Sequence, residues 1–134
     1  IVSDDYRVTL EDRVAIHHAP LRPERAADAV YDGLWAWAWP NLGVNVYRDG
    51  MMMERIWPLG ETRTRLDYLY VFAEPDADHA ATFAMSDVVT AEDKAICEAV
   101  ERNMAAGDLA MGPLSPRHEG AVRLFRDLLA AAPR

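Results

Sequence analysis

A strict alternation of side chains limits what this chain can fold into. From residue 34 to residue 39 every second residue is Trp, and the residues between are small or aliphatic. This period is typical of an extended strand. The alternation resumes over residues 42–47, and the turn signal Arg48-Asp49-Gly50 leads into residues 51–57 and then 62–73. Short turns between successive strands predict an antiparallel meander.

The other segments of this half are less regular. Residues 6–10 alternate weakly and fit a further strand. Residues 21–31, which include Pro23, fit either a short helical turn or an ordered loop. Pro40 and Asn41 interrupt the main alternation. Since proline cannot donate to a strand ladder, we interpret them as a bulge in an edge strand.

After residue 76 the period changes to that of helices. Residues 90–106 predict a helix that stops at Gly107, a residue type common just past a helix end. Residues 108–116, rich in glycine and proline, predict a loop, and residues 117–132 predict a second helix. The predicted fold class is therefore α+β, an antiparallel sheet followed by C-terminal helices that pack on one of its faces. The first helix has an apolar face made of Ile96, Cys97, Val100 and Met104.

The bulk composition narrows the function classes. The 134 residues suit one ordinary domain. The net charge of −8 argues against nucleic acid or an anionic membrane as a partner, since both need clustered Lys and Arg. The single cysteine, Cys97, excludes a disulfide or a cysteine-held iron–sulfur cluster within this chain. With no apolar run of membrane-spanning length and no signal-peptide pattern after Ile1, we expect a soluble cytoplasmic protein, excised from something longer.

Two interpretations fit Asp93. In the first, residues 90–93 (Thr-Ala-Glu-Asp) are a capping box in which Thr90 is the N-cap and the Asp93 carboxylate accepts from a backbone N–H. In the second, Asp93 lies one turn before Ile96 on the apolar side of the helix. A carboxylate is costly there unless a cation, such as a metal ion, meets it. The spacing alone favours the cap.

Four stretches give the sequence a family resemblance. Residues 37–42 (Trp-Ala-Trp-Pro-Asn-Leu) resemble an aromatic-Pro-Asn strand, and residues 56–64 (Ile-Trp-Pro-Leu-Gly-Glu-Thr-Arg-Thr) resemble a turn. Residues 112–125 resemble a closing Gly-x-Leu-Ser segment. Residues 92–104 are the most specific, because they resemble a helix motif that opens with Glu-Asp. All four are similar to segments of Rieske-type non-haem iron ring-hydroxylating oxygenase alpha subunits, in the branch of choline, carnitine and glycine-betaine oxygenases.

This resemblance implies that residues 1–134 are the C-terminal part of an oxygenase catalytic domain, with the Rieske domain absent. The implied fold is of the helix-grip (START/Bet v1-like) type, an antiparallel sheet around a C-terminal helix. The resemblance also implies that Asp93 completes a 2-His-1-carboxylate triad on mononuclear Fe(II). The two histidine ligands and the Cys/His pairs of the family's 2Fe-2S Rieske cluster are not found in this chain. Alone, the chain should bind iron weakly and should not turn over.

The resemblance further implies an activity and partners. Oxygen would be activated at Fe(II), fed with electrons from the Rieske cluster and from a reductase or ferredoxin. An organic substrate, aromatic or quaternary ammonium, would be hydroxylated or N-dealkylated (demethylated), by either a monooxygenase or a dioxygenase reaction. The implied assembly is a homotrimer. By similarity, Phe83 and Met85, which precede Asp93, border the substrate pocket.

The remaining candidate residues have structural interpretations. The Trp stripe of residues 35–39 and the aromatic stripe of residues 68–72 are interpreted as sheet packing. The alternative is a substrate pocket in which ring faces bind a quaternary ammonium cation. We interpret Cys97 as a buried small hydrophobe, and His79 and His118 as solvated side chains.

A second function class stays open. The helix-grip architecture also serves non-enzymatic small-ligand-binding modules, so that fold alone does not decide function. An apolar cavity without a metal would favour the binding module. The helix motif at residues 92–104 favours the oxygenase.

Overall fold

The computed structural model describes residues 5–21, 30–107, 112–116 and 118–133. The chain forms two compact units, which we call the sheet unit (Ile1–Pro75 with Leu114–Arg134) and the helix unit (Asp76–Pro113). In chain order the elements are β1 (Arg7–Leu10), β2 (Val14–His18), β3 (Tyr31–Ala38), β4 (Leu42–Tyr47), β5 (Gly50–Pro58), β6 (Thr64–Phe72), α1 (Ala80–Ala105) and α2 (Gly120–Ala131). Residues 22–29 of the predicted segment 21–31 and residues 108–111 of the predicted segment 108–116 lie outside the described residues.

The six strands form one antiparallel sheet in the order β1-β2-β3-β4-β5-β6. The predicted meander and the α+β class are therefore confirmed, and a six-stranded antiparallel sheet with two helices is consistent with a helix-grip catalytic domain. Strand β2 was not predicted, because its two adjacent histidines, His17 and His18, end the apolar pattern. Those two side chains point to opposite faces of the sheet, since successive strand residues alternate.

At two positions only glycine fits, because another part of the backbone lies too close for a Cβ atom. Gly50, predicted as a turn residue, is instead the first residue of β5. A Cβ atom on it would lie 2.1 Å from the carbonyl oxygen of Val71 in β6, so no other residue fits without moving a strand. Gly33 has φ +70° at the irregular register between β3 and β4, and its Cβ would meet Ala19 O at 2.2 Å.

The turn between β3 and β4 corrects one prediction. Pro40 follows a cis peptide bond from Trp39 and lies in the turn, between two strands in the middle of the sheet. The edge-strand bulge is therefore wrong: a turn accepts proline because no ladder hydrogen bond is needed there. Asn41 holds this turn on the neighbouring strand, since its Nδ2 donates to Ile56 O at 2.9 Å.

Helix α2 packs on the face of the sheet that carries the tryptophans. The ring of Phe125 lies 5.4 Å from that of Trp37 and 6.0 Å from that of Trp39, and the two indoles are 6.2 Å apart. Such edge-on and tilted contacts are favoured arrangements for aromatic rings. For these two tryptophans the packing interpretation is confirmed. Farther along the sheet, Tyr47 and Met52 are buried.

Helix α1 is the whole of the regular structure described in the helix unit. It has 26 residues and starts ten residues earlier than predicted. Ala80, Ala81 and Ala84 are strong helix formers, so the early start follows local propensity. The Asp78 carboxylate accepts a hydrogen bond from Ala80 N at 2.9 Å, which satisfies one of the free N–H groups at the helix start. The helix ends just before Gly107, whose φ of +78° marks the predicted stop.

Candidate functional site

Asp93 lies in the middle of helix α1. Because the helix begins at Ala80, Thr90 is an interior residue and cannot be an N-cap. The capping-box interpretation is therefore wrong: the backbone N–H of Thr90, from which the Asp93 carboxylate would accept, already has an acceptor one turn earlier in the helix. This correction removes the structural role that the spacing alone had favoured for this carboxylate.

No described residue compensates the charge of Asp93. Its carboxylate is exposed and takes part in none of the hydrogen bonds or ion pairs found among the described residues. The acid one turn later behaves differently, since Glu98 pairs with Lys94 at 3.7 Å. Being thirteen residues past the helix start, Asp93 also gains little from the helix dipole, which acts mainly within the first turn. The exposed carboxylate is open to water, and its role as a metal ligand stays a prediction.

The helix face that carries Asp93 changes character along its length. With 100° of rotation per residue, the positions within about 40° of Asp93 include His79, Thr82 and Ser86 toward the N-terminus. These three side chains are buried. One turn before Asp93 on this face is Val89, and two turns after it is Val100, both exposed. We call this face, with its flanking Ile96, the Asp93 face. It is buried at its N-terminal end and mostly exposed around the carboxylate, where Thr90 and Cys97 lie beside the aliphatic residues.

Phe83 and Met85 lie inside α1, not in a segment that precedes the helix. They are ten and eight residues before Asp93, which corresponds to about 15 Å and 12 Å along the helix axis. Each is rotated by about 80° from Asp93, in opposite directions. Phe83 is exposed and Met85 is half-buried. Their role in substrate binding stays a prediction.

The described residues do not complete a metal site. No group of three or more His, Cys, Asp or Glu side chains in the described ranges is placed to hold a metal ion. His79 shares the Asp93 face but lies roughly 20 Å away along the helix axis. His17, His18 and His118 belong to the sheet unit. Among the described residues Asp93 therefore has no further metal donors beside it, and its assignment as a ligand stays a prediction.

The structure corrects three predictions of burial. His79 was expected to be solvated and is buried at the start of α1. His118 was also expected to be solvated, yet its Nδ1 atom is buried and has no hydrogen-bond partner among the described residues. Cys97, expected to be buried, is exposed. The two histidines were expected to be solvated because they lie near helix starts or loops. Cys97 was placed on an apolar helix face by its spacing, which does not tell which part of that face is covered.

Sequence reasoning missed a ring cluster in the sheet unit. Tyr6 Oη and His17 Nδ1 are 2.6 Å apart and share a hydrogen bond. The His17 ring stacks on Trp35 with centroids 5.5 Å apart, and His118 lies 6.2 Å from Tyr6. We call these four residues the Tyr6 cluster. The pairing of Val8 with His17 in β1 and β2 places Tyr6, two residues before Val8, on the same face as His17. No sequence signal was available for this pairing, because β2 was not predicted.

Burial controls the titration of this cluster. Removal from water lowers the pKa of His17 below its usual value, and repulsion from the neighbouring His18 lowers that pKa further. Burial also raises the pKa of Tyr6. Both shifts favour the uncharged form of the pair.

A shallow cavity of about 440 Å³ lies at the start of α2. Glu119 is turned inward there and accepts a hydrogen bond from Ser115 N. The hydroxyl of Ser115 in turn accepts from His118 N at 3.3 Å. These contacts satisfy the loop before the helix, so they explain the local geometry without a ligand. The cavity is lined by Leu114, Ser115, Pro116, Glu119, Gly120 and Arg123.

Comparison with known proteins gives one match. The family of the ring hydroxylating alpha subunit (catalytic domain) matches residues 5–132, which is nearly the whole chain. Neither a curated protein nor a solved structure matches. Among the described residues, no helix has the length and hydropathy needed to cross a membrane.

Proposed function

We propose that this chain, which belongs to the ring-hydroxylating oxygenase alpha-subunit family (catalytic domain), supplies Asp93 as the carboxylate ligand of a mononuclear non-haem Fe(II). The family membership makes the chain part of an oxygenase. The identity of the ligand rests on the motif resemblance of residues 92–104, and the Asp93 carboxylate, unpaired in the middle of α1, is available for that role. The family membership also favours the oxygenase over a non-enzymatic binding module.

The position of Asp93 supports the proposal because it excludes the helix cap, the alternative role of this carboxylate. A capping carboxylate belongs at a helix start, and the start of α1 is held by Asp78. Asp93 lies among the apolar side chains of Val89 and Val100, where an unpaired charge is unfavourable once water is excluded. An iron ion would neutralise that charge, and iron also suits an oxygen ligand of this type.

Two imidazole ligands complete the proposed site. We propose that they come from outside residues 1–134, because the four histidines of this chain form no metal-binding group with Asp93 among the described residues. A 2-His-1-carboxylate set leaves open positions on Fe(II), which supply oxygen activation when the metal is bound. Within this chain the proposed role of Asp93 is to bind the metal through one carboxylate oxygen donor group. A long rigid helix suits that task, because ligand geometry must be held closely.

The finer assignments follow from the sequence resemblance. We propose that electrons reach the iron from a 2Fe-2S Rieske cluster on a domain outside this chain, supplied by a reductase or ferredoxin. We further propose hydroxylation or N-dealkylation of a small organic substrate, a homotrimer as the working assembly, and the cytoplasm as its location. Phe83 and Met85 stay candidate substrate contacts.

The decisive experiment compares two neighbouring acids in the complete oxygenase component. Asp93→Asn keeps the shape of the side chain and removes its charge, whereas Glu92→Gln makes the same change about 100° around the helix. Both positions are exposed. We expect iron content, measured by plasma emission spectrometry after dialysis, to fall at least tenfold in Asp93→Asn. Glu92→Gln should keep the wild-type iron content.

Circular dichroism on the same samples separates iron loss from unfolding. Asp93→Glu, which retains a carboxylate, is expected to hold part of the iron. Wild-type iron content in Asp93→Asn would show that another residue is the ligand and would end the proposal.

A further inference from the structure

The Tyr6 cluster of the sheet unit carries a further inference, which goes beyond the proposed function and does not depend on Asp93. Tyr6 Oη and His17 Nδ1 are 2.6 Å apart. This distance lies in the range over which a side-chain base takes a proton directly. We assign the phenol as the donor of this hydrogen bond, because its O–H has no other acceptor among the described residues. The lone pair of Nδ1 then faces the phenolic proton.

The surroundings favour the protonation states that a proton transfer needs. Burial lowers the pKa of His17 and the neighbouring His18 lowers it further, which favours the neutral imidazole, the form that can accept a proton. Burial raises the pKa of Tyr6, which favours the intact phenol. A phenol that loses an electron becomes a strong acid. Even a weakly basic imidazole at hydrogen-bond distance then takes its proton.

Aromatic rings connect this pair along the sheet. The indole of Trp35 stacks on His17 with centroids 5.5 Å and planes 11° apart, and it lies 6.3 Å from the ring of Tyr6. Trp37 is two residues farther along the same strand face, a step of about 7 Å, and Trp39 lies 6.2 Å beyond it. Indoles and phenols give up one electron readily, and electron transfer is fast only over short gaps. This row of rings therefore provides a path for electrons between Tyr6 and the turn after β3.

The phenol is also partly shielded from water. Tyr6 is half-buried, and the ring of His118 lies 6.2 Å from the ring of Tyr6. The Nδ1 atom of His118 is buried and has no hydrogen-bond partner among the described residues, so it does not compete with His17 for the phenolic proton. An oxidised phenol in this position is protected from coupling with groups in solution.

We propose that the Tyr6 cluster is a one-electron redox site that discharges oxygen-derived oxidants in the oxygenase. Tyr6 gives one electron to the oxidant through Trp35, its O–H bond breaks, and the proton forms an N–H bond at Nδ1 of His17. The products are a neutral tyrosyl radical, an imidazolium and the oxidant reduced by one electron. A one-electron reductant later returns the electron, and the proton goes back to the phenol. The family of this chain supplies the oxidant, because oxygen chemistry produces such species when no substrate is oxidised.

Flash photolysis of the complete oxygenase component tests the site without turnover. The probe is tris(bipyridine)ruthenium(III), produced by a light pulse in the presence of persulfate, and the readout is the absorbance of the tyrosyl radical. We expect a fast phase of radical formation that is slower in deuterium oxide, because a proton moves in the same step. Tyr6→Phe should lose this phase. Tyr31→Phe should keep it, since Tyr31 is 37 % exposed and its hydroxyl has no hydrogen bond to a described histidine.

The two adjacent histidines of β2 give a matched pair of variants for the proton acceptor. His17→Gln keeps an oxygen that accepts a hydrogen bond from the phenol but has no basic nitrogen. It should slow the fast phase about 100-fold, the lower end of what a positioned base contributes. His18→Gln makes the same change on the opposite face of the strand, and its rate should stay close to that of the wild type. Thermal melting by circular dichroism verifies that each variant is folded.

Freeze-quench electron paramagnetic resonance tests the source of the oxidant. The reduced oxygenase component is mixed with oxygen in the absence of an organic substrate. A tyrosyl radical signal should form in the wild type and in Tyr31→Phe, and it should be missing in Tyr6→Phe.

Three results would overturn the redox site. One is a fast phase that persists in Tyr6→Phe, another is an equal rate in the His17 and His18 variants, and the third is the absence of a Tyr6-dependent signal after mixing with oxygen. The proposed function fails by a different measurement, the retention of iron in Asp93→Asn. Photolysis does not involve that carboxylate, so either proposal can fail while the other stands.

Discussion

The sheet unit and the helix unit use their polar and aromatic side chains differently. In the sheet unit the functional groups are paired within the unit: Trp57 Nε1 donates to Asp67 at 2.8 Å, Arg65 pairs with Asp67 at 3.1 Å, and Tyr6 bonds His17. In the helix unit, Asp93 has no described partner and the aliphatic side chains around it are exposed.

The contrast separates side chains that stabilise the fold from those that are free for a ligand. A residue whose hydrogen bonds and packing are already satisfied can be lost only at a cost in stability. A residue with neither can be changed with little effect on folding, so a strong effect of its loss on function would point to a ligand. The expected effects below run from the largest, in the sheet unit, to the smallest, in the helix unit.

Gly50→Ala should have the largest effect on stability. Its Cβ would lie 2.1 Å from Val71 O, a backbone atom that cannot rotate away. We expect a loss of about 3 kcal/mol in the free energy of unfolding, measured by urea denaturation, as strands β5 and β6 separate. Gly112→Ala is the control, since a Cβ at that position would meet no atom within 4 Å and the cost should be small. Equal losses in the two variants would contradict the close approach.

Phe125→Ala tests the contact between α2 and the sheet. The variant removes the ring that touches Trp37 and Trp39. Because Phe125 is 40 % exposed, we expect a loss of about 2 kcal/mol, less than for a fully buried phenylalanine. Near-ultraviolet circular dichroism should change as well, since two tryptophans lose an aromatic neighbour. Leu129→Ala, at a more exposed position of the same helix, should cost clearly less; a larger cost there would place the main contact elsewhere.

The Tyr6 cluster should make stability fall in mild acid. Burial and His18 hold the pKa of His17 below that of the unfolded chain. Below about pH 6.5 the unfolded state therefore binds a proton before the native state does, and the native state loses stability as the pH falls. His17→Gln should remove this part of the decline in melting temperature between pH 7.5 and 5.5. Replacement of the neighbour, His18→Gln, should reduce it only in part. Parallel pH curves for wild type and His17→Gln would contradict the assignment.

Asp93→Ala should have the smallest effect on stability. The sign of the change in the free energy of unfolding distinguishes a capping carboxylate from an unpaired one. A capping carboxylate costs about 1 kcal/mol when it is lost, whereas an exposed unpaired Asp inside a helix is a poorer helix former than Ala. We expect the free energy of unfolding of the metal-free protein to stay unchanged or to rise by up to about 0.5 kcal/mol. Asp78→Ala, at the real helix start, should instead lower it. A clear loss in Asp93→Ala would mean that the carboxylate has a structural partner after all.

Most strands of the sheet could be predicted because the pattern of alternating side chains and turn residues lies within each segment of the sequence. Alternation and turn residues gave strands β3 to β6 within a few residues, and glycine at position 107 gave the end of α1. Strand β2 was missed because five residues with two histidines lack a clear period. The start of α1 was missed because Val88 and Val89 are β-branched and Ser86 and Asp87 favour helix ends, which moved the predicted start to Thr90.

The candidate site was predictable only in part. The choice of Asp93 as a ligand came from a motif resemblance, and spacing alone pointed to a cap. The observed length of α1 excluded the cap, because the helix begins ten residues before the predicted N-cap. Burial of His79 and exposure of Cys97 could not be predicted, because periodicity identifies a face and tertiary contacts decide which part of it is covered.

The exposed thiol of Cys97 offers a direct experimental handle. It is the one cysteine in the sequence, and it lies four residues past Asp93, about 6 Å along the axis and about 40° around the helix. A nitroxide or fluorophore attached there needs no engineered background and would report on the immediate surroundings of the carboxylate. Broadening of a nitroxide spectrum by a nearby paramagnetic ion would then turn the environment of Asp93 into a spectroscopic signal.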